Sequence, residues 1–176
     1  LNLFVFGKPG VTLDSGVNVV DPFTIRQLQN NLLLVYSGHG RQANSILQKQ
    51  SAAMNDDVKF SLVRKSRDKA FMGLDSLVHK DTDSFGSLLH EAWMDKKQVV
   101  KEITNTYFDD VYEKVLKAGA LGGKLLGAGG GGFFIFYVPT NSRERVVSEL
   151  NKFESIKVYD FAFTNEGSTL LTDAGA

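Results

Sequence analysis

The sequence predicts an α+β fold, an antiparallel sheet with helices packed on one face. Three observations lead there. Short apolar runs rich in β-branched and aromatic residues sit toward both ends of the chain, at 3–6, 32–36, 133–138 and 156–163. A long middle block repeats its apolar residues every three to four positions, which is helical spacing. From 122 to 163 a strand, a glycine cluster, a strand, a helix and a strand follow in turn, a spacing suited to antiparallel neighbours.

Element by element, Leu3-Phe4-Val5-Phe6 reads as a strand and Gly7-Lys8-Pro9-Gly10 as its turn. Val17–Val20 reads as the returning strand of a hairpin. Pro22 suits the first turn of a short helix running through Gln29. Leu32-Leu33-Leu34-Val35-Tyr36 is a continuous apolar run, as a buried strand would be, and Ser37-Gly38-His39-Gly40-Arg41 follows as a small polar loop. Ile46, Leu47, Ala53 and Met54 share one helical face, as do Ala70, Phe71, Leu74, Leu77 and Val78. Phe85, Leu88, Leu89, Ala92 and Trp93 continue the pattern, with Ser84 or Asp83 as the cap. Tyr107, Phe108, Val111, Tyr112, Val115 and Leu116 form the last stripe, and Gly119 stops it. Phe133–Val138 is a strand closed by Pro139, Arg143–Phe153 a helix and Ile156–Phe163 a strand. The tail after Thr164 is small and polar and is expected to fray.

Composition excludes several chemistries. The 176 residues carry 20 Lys and Arg against 20 Asp and Glu, so the net charge is zero. That argues against broad electrostatic binding to nucleic acid or an acidic membrane. There is no Cys, hence no disulfide, thiolate nucleophile or zinc–thiolate site. The three histidines, His39, His79 and His90, form no ligand pair one helical turn apart. No apolar run approaches the roughly 18 residues that a membrane span needs. The chain opens on Leu1 with no signal peptide, and its first residues read as a strand entered midway, so a piece of a larger protein is expected.

The glycine cluster Gly122-Gly123-Lys124-Leu125-Leu126-Gly127-Ala128-Gly129-Gly130-Gly131-Gly132 carries the most information. Gly127-x-Gly129-x-x-Gly132 matches the dinucleotide fingerprint in letters only, because that motif must open a helix and here a strand follows. A P-loop would need Gly at 118 and Ser or Thr at 125, where Ala118 and Leu125 stand. What remains is a loop of four consecutive glycines between two strands. A tight turn needs one or two, and each spare glycine costs about 0.5–1 kcal/mol of folding entropy. Four therefore suggest close backbone approach, either to another segment or to an anionic ligand held by exposed N–H groups.

These residues resemble the third, C-terminal motif of the GHMP small-molecule kinases, which include galactokinase, homoserine kinase, mevalonate kinase and phosphomevalonate kinase. The pattern is most similar to that of the D-glycero-D-manno-heptose 7-phosphate kinases. Residues 32–41 with Ala43 and Ile46-Leu47 resemble a strand, loop and helix of those enzymes. Tyr112-Glu113 with residues 118–124 resembles their helix leading into the glycine loop, and residues 2–6 a strand after their active-site helix. The resemblance implies a C-terminal domain with a ferredoxin-like core over residues 31–176, and a hairpin and linker over 1–30 continuing from a missing N-terminal domain. It implies a cytoplasmic kinase using ATP and Mg²⁺ to phosphorylate a sugar or sugar phosphate. Gly127, Ala128, Gly129, Gly130 and Gly131 would sit near the phosphates or brace the phosphate loop, and Ser37, Gly38 and Arg41 would help hold the acceptor. The family's Pro-x3-Gly-Leu-Gly-Ser-Ser-Ala phosphate loop is absent from this sequence, and its catalytic Asp falls upstream of Leu1. No catalytic base and no metal ligand are therefore assigned. The rival reading is a non-catalytic binding or interaction domain that keeps the fold.

Other candidates read more plainly. His39 is a loop histidine. Lys124 either neutralises phosphate or faces water from a strand edge. Asp109-Asp110 serve a helix start, and Asp81-x-Asp83 begins a calcium loop that Phe85 breaks. Lys96-Lys97 and Arg143-x-Arg145 read as solvated faces. In the intact enzyme Gly130→Val is expected to harm turnover more than folding.

Overall fold

The computed structural model describes residues 3–6, 11–14, 20–40, 43–164 and 166. The turn at 7–10, Val17–Val19, Arg41 and the tail from 167 lie outside the described residues. Two strands, β1 (Leu3–Phe6) and β2 (Val11–Asp14), pair antiparallel in a sheet of their own. The strand that returns against β1 is Val11–Asp14. The expected strand Val17–Val20 lies outside the described residues except for Val20, which lies in a bend and is buried against the main body.

The chain then forms α1 (Pro22–Asn31), β3 (Leu32–Tyr36), α2 (Ala43–Ala53), α3 (Asp57–Val78), α4 (Thr82–Val99) and α5 (Thr106–Lys117). It ends with β4 (Gly122–Leu125), β5 (Phe133–Tyr137), α6 (Arg143–Leu150) and β6 (Lys157–Tyr159). The last strand is shorter than expected, and Phe161 and Phe163 follow it outside the ladder. A four-stranded antiparallel sheet runs in the order β4-β5-β3-β6. Counted from β3, the path is strand, helices, two strands, helix, strand, with first and third strands central. This is the β-α-β-β-α-β arrangement of ferredoxin-like folds.

Helix starts follow local hydrogen-bonding chemistry. Asp21 caps α1 by accepting Phe23 N–H at 2.6 Å, with Pro22 in the first turn. Asp56 caps α3 and Asn105 caps α5. Asp81, rather than Ser84 or Asp83, caps α4: its carboxylate accepts Ser84 N–H at 3.0 Å and Ser84 Oγ–H at 2.6 Å. Gly119, at φ +114°, ends α5 as the sequence implies.

Alternation along the strands builds two clusters. Leu33, Val35, Leu125, Phe134 and Phe136 pack with Phe108, Val111 and Val115 of α5 and Val146 and Leu150 of α6. Leu32 and Tyr137 point the other way and meet Leu28 of α1, Leu77 of α3 and Phe85 of α4. The helices therefore also cover part of the second face. Helix α4 serves both clusters, because Trp93 reaches the first. It lies so close to β4 that a side chain on Gly122 would overlap the Gly86 carbonyl.

Candidate functional site

Antiparallel pairing of β3 with β5 sets Tyr36 opposite Phe133. The segment after Tyr36 and the glycine segment before Phe133 therefore emerge at the same end of the sheet. They are bonded to each other: Ser37 N–H donates to Gly132 O at 2.8 Å and Gly132 N–H to His39 O at 2.9 Å. A third strand of chain joins them, the 3₁₀ turn Lys101–Ile103, whose Ile103 O accepts Gly130 N–H at 2.9 Å. A Lys49–Glu102 ion pair ties this turn to α2, and the lysine holds the Glu102 carboxyl below its usual value.

The glycines earn their place mainly by close approach. Gly131 has φ +143°, and a Cβ there would lie 2.5 Å from Gly40 O. Gly130 has φ +70°, and a Cβ would overlap Ile46 Cδ1 of α2. Two loop amides, those of Gly130 and Gly132, are spent on internal bonds. The tip 126–129 is a hydrogen-bonded turn that directs Gly129 N–H at Leu126 O. Among the described residues no acceptor receives the N–H of Ala128 or Gly131, although both residues are buried. Buried backbone donors are seldom left unpaired, so these two call for an acceptor from outside the described residues.

Two residues that the sequence did not mark hold the loop from behind. Gln50 Nε2 of α2 donates to Ala128 O at 2.8 Å, and Lys96 Nζ of α4 donates to Gly127 O at 2.5 Å. Lys96 had read as a solvated lysine, and a single polar residue on a helix gives no sign of which distant carbonyl it will reach. Lys97, read the same way, bonds Asp109 Oδ1 at 3.0 Å. Arg143 donates to Asn30 O at 3.0 Å and Arg145 to Ser142 Oγ at 3.0 Å, so both arginines make structural bonds.

The residues expected to hold the acceptor sit as follows. Ser37 is fully buried, and its Oγ has no hydrogen-bond partner among the described residues. Gly38, at φ +79°, presses on Ser155, whose O would lie 2.7 Å from an added Cβ. It admits backbone contact between the loop and the α6–β6 connection. Arg41 lies outside the described residues. His39 is exposed, its Nδ1–H donates to Ser37 O at 3.0 Å, and its ring packs on Tyr107 at 5.0 Å and edge-on to Phe108 at 5.3 Å.

Around the loop, Tyr112 donates to Gly123 O at 3.1 Å and accepts from His90 Nδ1 at 3.0 Å, and burial pushes its phenol well above the usual range. Lys124, on edge strand β4, is half-buried rather than facing water. Burial draws its ammonium below the ordinary lysine value, and no acidic partner lies among the described residues. No group of three or more His, Asp or Glu among the described residues could hold a metal ion.

The β-α-β-β-α-β sheet with its glycine loop can be set beside known proteins. Residues 74–155 match the family described as GHMP kinases C terminal. These residues are similar to a GHMP kinase C-terminal domain. A D-glycero-alpha-D-manno-heptose 7-phosphate kinase of Campylobacter jejuni is 26% identical over 154 residues, which are 85% of this chain and 45% of that protein. The chain thus spans less than half the length of this curated relative. Among solved structures, L. major mevalonate kinase with bound R-mevalonate superposes with a TM-score of 0.66 at 17% identity, covering 90% of this chain and 48% of that one. A D-glycero-D-manno-heptose 1-phosphate kinase from Bacteroides thetaiotaomicron gives 0.60 at 22% identity, covering 97% and 45%. At these identities the structures establish the fold alone.

Proposed function

We propose that this chain is the C-terminal part of an ATP-dependent sugar kinase of the heptose 7-phosphate type, which transfers the γ-phosphoryl of ATP to a sugar hydroxyl. The observation that carries this reading is the glycine loop, with the N–H groups of Ala128 and Gly131 left without acceptors among the described residues. Phosphoryl transfer asks for positioning and for stabilisation of charge spread over phosphoryl oxygens. Fixed amide dipoles in a partly dry site do this without reorganising. The neighbouring 37–40 loop, bonded to the glycine loop, would form the wall on which the acceptor sugar lies.

The base that takes the hydroxyl proton, the loop that cradles the triphosphate and any ligands for Mg²⁺ would come from the part of the protein that these residues do not include. The described residues offer no fitting metal ligand set, so no step is assigned to the ion here. The test is ADP release by the full-length protein with ATP and D-glycero-D-manno-heptose 7-phosphate. Sugar-dependent turnover is expected. A folded full-length protein that binds a sugar phosphate but hydrolyses or transfers nothing from ATP would support the non-catalytic rival instead.

A further inference from the structure

His39 stands in the 37–40 loop beside the glycine loop, held at every point but one. Its own carbonyl accepts Gly132 N–H, and Ser37 N–H two residues earlier donates to Gly132 O. The ring is held as well. It packs against Tyr107 with centroids 5.0 Å apart, and Phe108 meets it edge-on at 5.3 Å. Its Nδ1 lies 3.0 Å from Ser37 O. A carbonyl oxygen can only accept, so Nδ1 carries the proton of the neutral ring and Nε2 carries an open lone pair. A histidine that only braced the loop would be complete at this point. Yet His39 is exposed, and among the described residues nothing bonds its Nε2. With one edge bonded to Ser37 and the ring packed on two aromatics, the edge left to solvent is the one that bears Nε2.

An open lone pair takes a hydrogen bond from a hydroxyl and offers nothing to a phosphate, whose oxygens accept. The two loops are thus complementary: free N–H donors at Ala128 and Gly131 suit phosphoryl oxygens, and the acceptor nitrogen of His39 suits a sugar. We propose that His39 binds the acceptor sugar, its Nε2 accepting a hydrogen bond from a hydroxyl that does not react, while Ser37 O fixes the tautomer and the direction of the ring. This rests on the kinase reading and adds to it a residue that selects a polyhydroxylated acceptor.

The experiment uses the full-length protein with ATP and D-glycero-D-manno-heptose 7-phosphate, and two substitutions that divide the bonds of the ring. An asparagine amide ends near the place of Nδ1 and a glutamine amide near that of Nε2. His39→Asn therefore keeps the bond to Ser37 O and loses the one to the sugar, and His39→Gln does the reverse. Losing one neutral hydrogen bond to a ligand is expected to raise KM for the sugar phosphate roughly fivefold in His39→Asn, with kcat and KM for ATP unchanged. His39→Gln is expected to bind the sugar phosphate more tightly than His39→Asn while melting at a lower temperature. A bracing histidine gives the opposite order, a normal KM with asparagine and a raised one with glutamine, and that order overturns the proposal. A rise in KM for ATP that matches the rise for the sugar also overturns it, by showing a general defect of the site. Should His39→Asn not fold, a rise of about fivefold or more in His39→Gln overturns the proposal and a smaller one supports it. No sugar-dependent turnover by the folded wild-type protein removes the kinase reading and this inference together.

Discussion

Gly130 and Gly131 are where the glycine loop is least able to change. The Cβ of Gly131→Ala would press on the Gly40 carbonyl, and backbone cannot rotate aside as a side chain can. A residue forced into that region with a backbone clash is expected to lose about 1–3 kcal/mol, read as a lowered denaturation midpoint. Gly130→Val would strike Ile46 inside the main core and must also hold φ +70°. The structure therefore predicts a loss of both stability and turnover, where the sequence alone suggested that turnover would suffer more. A normal melt with reduced turnover would restore the earlier expectation.

Lys124 offers a second test at this scale. Burial holds its folded pKa below the ordinary 10.5. Between those two values the unfolded chain binds more protons, so stability rises as pH climbs through the interval. Below it the penalty of the half-buried charge is fully present. Lys124→Met is expected to raise the melting temperature near neutral pH, with the advantage shrinking as pH approaches 10.5. A pH-independent difference would show that the ammonium is well solvated, and one that grows as pH approaches 10.5 would show that it is paired.

Among the elements, α4 owes its position to two kinds of contact. Its start is pinned by Tyr137 of β5, a fully buried side chain whose hydroxyl lies 2.7 Å from Thr82 Oγ1, from Asp83 Oδ1 and from Asn31 Nδ2, which donates to it. Tyr137→Phe leaves Thr82 Oγ1 and Asn31 Nδ2 buried without this partner, while the exposed Asp83 can bond water, and is expected to cost about 1–3 kcal/mol in denaturant unfolding. An effect near zero would mean that water enters to replace the hydroxyl. The helix body rests on β4 where Gly86 and Gly122 lack side chains, and a Cβ on Gly86 would lie 2.5 Å from the Tyr137 ring. Asp81 adds a pH dependence. Hydrogen bonds from Ser84 hold its carboxyl below 3.8, so its contribution is present above that value and is lost as pH falls through the lowered one. Asp81→Asn should leave an acid-unfolding profile less steep in that range.

The whole molecule is a scaffold that brings three loops to one end of a sheet. The glycine loop, the 37–40 loop and the Lys101–Ile103 turn are bonded to one another, but the described residues contain neither a metal ligand set nor the family's phosphate loop. Catalytic groups that act as a unit fail together when one is removed. On the proposed kinase reading, the 176-residue chain by itself is therefore expected to show no ATP-dependent phosphorylation of any sugar. Turnover by the isolated chain, measured as ADP release, would contradict this.

What could be read from the sequence was whatever depends on neighbours along the chain. Apolar runs at 32–36 and 133–138 named the central strands, Gly119 marked the end of α5, and four consecutive glycines announced a close approach. Periodicity and steric freedom are local properties, so they survive without coordinates. Local rules misplaced the α4 cap, because Asp81, Asp83 and Ser84 are all plausible caps and only the observed backbone selects one. The place of Ser37 was not legible either: the resemblance implied a role for it in holding the acceptor, and the structure puts it in line with the buried face of β3. The roles of Gln50 and Lys96 were beyond sequence reading altogether: they act on carbonyls 78 and 31 residues away, across a contact that exists only after α2 and α4 have packed beside the glycine loop. Sequence determined which backbone could be bare at 127–132. Tertiary packing decided which of its amides are bonded within the protein, because Ile103 O and His39 O reach Gly130 and Gly132 only after distant segments have come together.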